Sequence, residues 1–170
     1  MKKNNIIFIG LILFAGFIRL IPHPWNFTPL LAACIFSGSK IKPNGLAIFV
    51  PLLAIFLGDT FIGFYSGMVW VYAGYILTIL ISVYLRKSNT LNSKLLNVVF
   101  GSLIFFIISN FGVWISGLLY PLNFIGFSEC YIEAIPFYKN TLFGTILYSW
   151  VFFGIGEILE RKITSEMSTA

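Results

Sequence analysis

The chain has 170 residues, of which 58% are hydrophobic and 10% charged, with a mean hydropathy of +0.92 and a net charge of +5. That composition excludes an ordinary soluble domain and describes an integral membrane protein. The basic residues are scattered among short loops rather than gathered in a stripe, so the charge points to membrane orientation and not to nucleic acid.

Taken in chain order, MKKNNIIFIGLILFAGF has the basic start and apolar run of a signal peptide, but no small-x-small cleavage site follows. It reads as an uncleaved first helix that orients the chain. Apolar spans are expected at about residues 6–22, 27–39, 44–62, 66–85, 95–119 and 140–159, forming one transmembrane domain over 1–170. Runs such as Ile48 to Leu57 do not alternate, which excludes a β-barrel. The segment YPLNFIGFSECYIEAIPFYK before the last span is too polar to cross and too apolar for a free loop, so it is expected as an interfacial or re-entrant element. Thr28 before Pro29 suits a helix start, with threonine as the cap.

The second span is short, and the positive-inside rule tests it, because dropping one span flips every later loop. Six spans with both termini cytoplasmic put Lys2, Lys3, Lys40, Lys42, Arg86, Lys87, Lys94, Arg161 and Lys162 inside and only Arg19 and Lys139 outside, nine against two. Five spans with the same start give three against eight. The expected architecture is therefore an all-α six-helix bundle with both ends on the cytoplasmic side of its membrane.

With that orientation the unusual polar residues collect on the outer side. Arg19 ends the first helix, the turn containing His23, Trp25 and Asn26 follows, and Asp59 closes the third helix. Asn110 and Trp114 lie in the outer half of the fifth, and Glu129 and Glu133 precede the sixth. Ionisable groups in membrane helices normally face protein or water and mark function. These nine residues are the candidate substrate-binding set, with Arg19 holding a ligand anion or pairing with Asp59, the two tryptophans stacking on a ring, and the His23 loop as lid. The alternative is structural: an Arg19–Asp59 ion pair and an interfacial aromatic belt that includes Trp70.

No catalytic motif is present. GFYSG at 63–67 is not a GxSxG elbow, and HExxH, GxxxxGK and GxGxxG are missing, so neither a metal centre nor a cofactor is expected. Cys34 and Cys130 do not suggest a disulfide framework. The pairs Ala33/Ser37 and Cys34/Gly38 allow close helix approach, within the monomer or toward a partner.

The blocks RLIPHPWNFTP, GDTFIGFY, SNFGVWISGLLYP and AIPFYKNTLFG resemble the signatures of an uncharacterised bacterial family of small membrane proteins, over most of the chain. In that family an aspartate often follows the glycine of the last block, where this chain has Thr145. The layout of six short helices with a polar outward pocket also resembles the substrate-binding S components of energy-coupling-factor transporters. That resemblance implies capture of a vitamin or related metabolite and docking on a transmembrane coupling subunit with ATPases, although IGLILFAGFIRL lacks the AxxxA docking motif. A structural or assembly protein is the second reading. An intramembrane enzyme pairing His23 with Glu129 or Asp59 is the third.

Overall fold

A chain this apolar must satisfy its backbone hydrogen bonds within each segment, and helices do so wherever the apolar runs are long enough. The computed structural model describes residues 3–87 and 90–168 and contains six helices and no strand among them. They are α1 (Lys3–Ile18), α2 (Leu30–Lys40), α3 (Asn44–Ile62), α4 (Met68–Leu85), α5 (Leu91–Ile115) and α6 (Phe124–Ser168). Lys2, part of the charge count, and the side chain of Lys3 lie outside the described residues.

Local signals set most of the boundaries. Gly63 and Gly67 take positive φ values of 100° and 83° in the α3–α4 turn, a conformation glycine adopts without a Cβ penalty. The Thr90 hydroxyl accepts the Ser93 N–H at 3.2 Å and caps α5. Thr28 does not cap α2: the helix begins one residue later, with Pro29 as its N-cap and the Pro29 carbonyl accepting the Ala33 N–H at 2.9 Å. Proline at this position removes one of the N–H groups that a helix start leaves without an intrahelical partner.

Helices α3 to α6 are long and apolar enough to cross a membrane. Helix α2 has only 11 residues, roughly 16 Å at 1.5 Å per residue against a hydrocarbon core of about 30 Å. It tolerates that shortness because it meets protein rather than lipid: Leu30 to Gly38 are all buried, and α2 touches every other helix. Phe36 is its anchor, with Phe8, Phe153 and Phe152 rings at 5.1, 5.4 and 5.9 Å. The small residues of α2 pack inside the monomer. A Cβ on Gly38 would lie 2.6 Å from Ser82 Cβ and 2.7 Å from the Ile79 carbonyl oxygen, and the Ser37 hydroxyl donates to the Ala47 carbonyl at 2.7 Å.

The segment expected as a separate interfacial or re-entrant element is instead the first part of α6, which runs unbroken for 45 residues through Pro136. Side chains of α5 hold it there. Tyr131 donates to the Ile107 carbonyl at 2.8 Å, and Phe106 packs against Tyr138 and Tyr131 at 4.7 and 5.7 Å. The Asn123 side chain caps the start of this helix by accepting the Gly126 N–H at 2.9 Å, and the α5 contacts pack the segment on the bundle.

Asn5 donates to the Lys42 carbonyl, and Lys40 pairs with Glu160, so α1 begins and α6 ends at the same end of the bundle. Arg19 and Asp59 lie at the other end. The two ends carry two different cavities.

Candidate functional site

At the Arg19 end a cavity of about 680 Å³ opens between the α1–α2 loop and the upper turns of α2 to α6. Five of the nine residues expected from sequence line it: Arg19, His23, Trp25, Asn26 and Asn110. Asn26 sits in the left-handed region at φ 59°, which asparagine tolerates better than most residues, so the tight turn explains its identity in part. The loop is tied to α6 by the Asn140 amide, which donates to the Trp25 carbonyl at 3.0 Å. Trp25 itself is 80% exposed and forms the rim.

Asp59 is among the nine but is not a lining residue. It is fully buried, and both carboxylate oxygens are used: Arg19 Nη1 donates to one at 2.5 Å and the Tyr72 hydroxyl to the other at 2.7 Å. Arg19 is thereby charge-neutralised and is not a free anion hook. Burial, and then the Asp59 carboxylate, hold the nearby Tyr65 phenol above its usual range, so Tyr65 reaches the cavity as a neutral hydroxyl.

Trp114, Glu129 and Glu133 are not among the lining residues. The Trp114 indole donates to the Pro121 carbonyl at 3.2 Å, and its ring is occupied by Phe127 and Phe111 at 5.3 and 5.7 Å. Glu129 and Glu133 are exposed, and Glu133 accepts from the Tyr120 hydroxyl at 2.8 Å. That bond pushes Tyr120 up to about 12. Their misplacement follows from the continuity of α6: residues four apart share a helix face, and this pair shares the one away from the cavity. Trp70, read as a belt residue, packs on Phe111 at 5.1 Å and lies against Gly112.

The cavity face of α6 carries Ala134, Phe137, Tyr138, Thr141 and Thr145. Sequence reading missed most of this face, although the 134, 138, 141, 145 spacing is helical once the segment is known to be a helix. Tyr75, Phe105, Phe106 and Ser109 complete the wall and were hidden because apolar and hydroxyl residues are ordinary in any membrane span.

The polar lining mixes acceptors and donors. Ser109, Thr141 and Thr145 each donate to a carbonyl four residues back, at 2.7, 3.0 and 2.6 Å, and the Asn110 amide donates one N–H to the Phe106 carbonyl at 2.8 Å. The three hydroxyl hydrogens are spent within the helices, so these groups offer the cavity lone pairs, whereas Asn110 keeps its second N–H and the Tyr65, Tyr75 and Tyr138 hydroxyls also line the wall. His23 Nδ1 lies 2.6 Å from the Ile21 carbonyl, and no His23–carboxylate hydrogen bond exists among the described residues. No group of three His, Cys, Asp or Glu there is placed to hold a metal ion, and both cysteines are free buried thiols.

Apolar helices of spanning length wrapped around a short buried helix, with a polar cavity at one end, define a helical membrane protein. Within that class, the chain belongs to DUF6580, a family of unknown function whose model matches residues 1–167. No curated protein and no solved structure matches it.

Proposed function

We propose that the protein is the substrate-capture subunit of a membrane transport system and binds a small solute in the Arg19-end cavity. The observation that carries this reading is the cavity itself: its size suits a vitamin-sized ligand, and it combines aromatic walls with a few convergent polar atoms. Because Ser109, Thr141 and Thr145 present lone pairs beside the donating and accepting groups of Asn110 and the lining tyrosines, and Arg19 is neutralised by Asp59, the solute that fits is an uncharged ring compound that both donates and accepts hydrogen bonds. Tyr75, Phe105, Phe106 and Tyr138 supply ring faces for it, and the His23 loop closes the mouth. The charge distribution supports a bacterial cytoplasmic membrane location with both termini inside and this cavity facing out. Transport from such a site requires a coupling subunit, in keeping with the resemblance to energy-coupling-factor S components.

The test is a thermal-unfolding screen of the purified protein against ring-bearing vitamins and their precursors, run beside Ser109→Trp, which fills the cavity from α5. A ligand at 100 times its dissociation constant stabilises the folded state by about 2.7 kcal/mol. At least one such solute should raise the wild-type midpoint and leave Ser109→Trp unmoved. If none does, or if both proteins respond alike, the cavity is not a solute site.

One observation favours a second reading. The complete burial and double hydrogen bonding of Asp59 suit a helix clamp, so a purely structural membrane protein would keep the ionic pair and have no ligand.

A further inference from the structure

The opposite end of the bundle holds a cleft of about 950 Å³ lined by Lys40, Lys42, Arg86, Lys87 and Lys94, with Asn44, Asn97 and Ser93 between them. Among the described residues two carboxylates reach this group, and each is taken: Glu160 pairs with Lys40 at 2.9 Å and Glu157 with Lys94 at 2.5 Å. Five cations less two carboxylates leave three positive charges, on Lys42, Arg86 and Lys87.

Arg86 is held as a fixed charge. Its Nε donates to the Val83 carbonyl at 3.2 Å, Nη1 to the Ile41 carbonyl at 3.0 Å and Nη2 to Asn44 Oδ1 at 2.8 Å. All three acceptors are neutral, so the guanidinium is positioned without being neutralised. Lys42 and Lys87 are exposed and form no ion pair with a described residue. Asn97, which is buried, is locked by accepting from the Ser82 hydroxyl at 2.9 Å and donating to Ser39 at 3.2 Å. Phe153, Val83 and Leu85 add an apolar wall, and the Lys94 ammonium lies 5.4 Å from the Phe153 ring centroid.

A concave surface with three uncompensated cations, one of them rigid, beside an apolar wall matches a phosphate group attached to a larger molecule. We propose that this cleft is a phosphate-binding site, separate from the solute cavity, with Lys42 and Lys87 closing on the phosphate and Arg86 as the fixed pole. The phosphate comes either from an anionic phospholipid headgroup or from a soluble phosphorylated metabolite.

The two sources separate in one experiment. The full-length protein in mild detergent is exposed to phosphatidylglycerol vesicles, to phosphatidylcholine vesicles, and to soluble glycerol 3-phosphate, and retained adducts are counted by native mass spectrometry. The Lys42→Gln/Lys87→Gln variant and an Arg161→Gln/Lys162→Gln control, whose residues lie on α6 outside the cleft lining, are treated identically. Juxtamembrane lysines act near an anionic surface strongly enough that losing two should weaken retention about tenfold or more. Wild type should retain one of the two anionic probes over phosphatidylcholine. Retention should fall in the cleft variant and persist in the control, with the preferred probe naming the source. Retention of neither anion overturns the proposal. So does an equal fall in both variants, which would mean a diffuse basic surface.

Discussion

Asp59 is held on every side: fully buried, with Arg19 on one oxygen and Tyr72 on the other. Removing one partner of a buried pair leaves an uncompensated charge, which costs roughly 3–5 kcal/mol, whereas replacing both with apolar residues is often close to neutral. Asp59→Ala should therefore lower unfolding stability in detergent by about that much, and Arg19→Met/Asp59→Leu should recover most of the loss. A double variant as unstable as the single one would contradict the clamp. Tyr120 offers an independent check at the surface. Its pKa in the fold, about 12, is raised above the ordinary 10.0 by Glu133. The stabilisation from that hydrogen bond is therefore intact at neutral pH and disappears as pH rises from the ordinary value through about 12. Spectrophotometric titration of the wild type and Glu133→Gln should differ by one tyrosine, whose upward shift is lost in the variant. The Arg19–Asp59 pair was open to sequence reasoning, because two opposite charges at helix ends on one side of a membrane have few other partners. The lone pairs that Ser109, Thr141 and Thr145 turn to the cavity were not, since they depend on where each hydroxyl hydrogen points.

Helix boundaries were legible where apolar runs stop at glycine, proline or charge, and α3 matches its expected 44–62 limits. The start of α6 was not read, although Asn123 caps it by accepting the Gly126 N–H at 2.9 Å, because its mixed polar and apolar composition hides a helix that packs on Phe106 and Ile107 of α5. That single misreading displaced Glu129 and Glu133 into the expected site and kept Tyr138 and Thr141 out of it. The shortness of α2 posed the opposite problem: the charge count required a span that its 11 residues cannot fill alone, and burial on all sides resolves it. The α2–α4 contact gives the element-scale prediction. Gly38→Leu forces side-chain atoms into Ser82 and the Ile79 carbonyl, and overpacking of this kind costs typically about 1–3 kcal/mol. Thermal unfolding should show that loss. A wild-type midpoint would mean that α2 and α4 are not in close contact.

For the molecule as a whole, the two ends divide the chemistry: an aromatic, hydroxyl-lined cavity beside a neutralised ion pair at one, a net positive cleft at the other. Between them the α2 core is closed, with Phe36 enclosed by Phe8, Phe152 and Phe153 and Gly38 tight against α4. A solute bound at the Arg19 end meets this closed packing, so passage from the proposed site would need helix rearrangement, which an open channel would not. Orientation is checked by reporter fusions at the C-terminus, where a cytoplasmic reporter should be active and a periplasmic one silent; the reverse would invert the charge reading. The most direct measurement is native mass spectrometry of the gently purified wild-type protein beside Ser109→Trp. The account predicts a retained small organic molecule on the wild type that is absent from the cavity-filled variant. A wild type that carries nothing, or an adduct shared equally by both proteins, would contradict it.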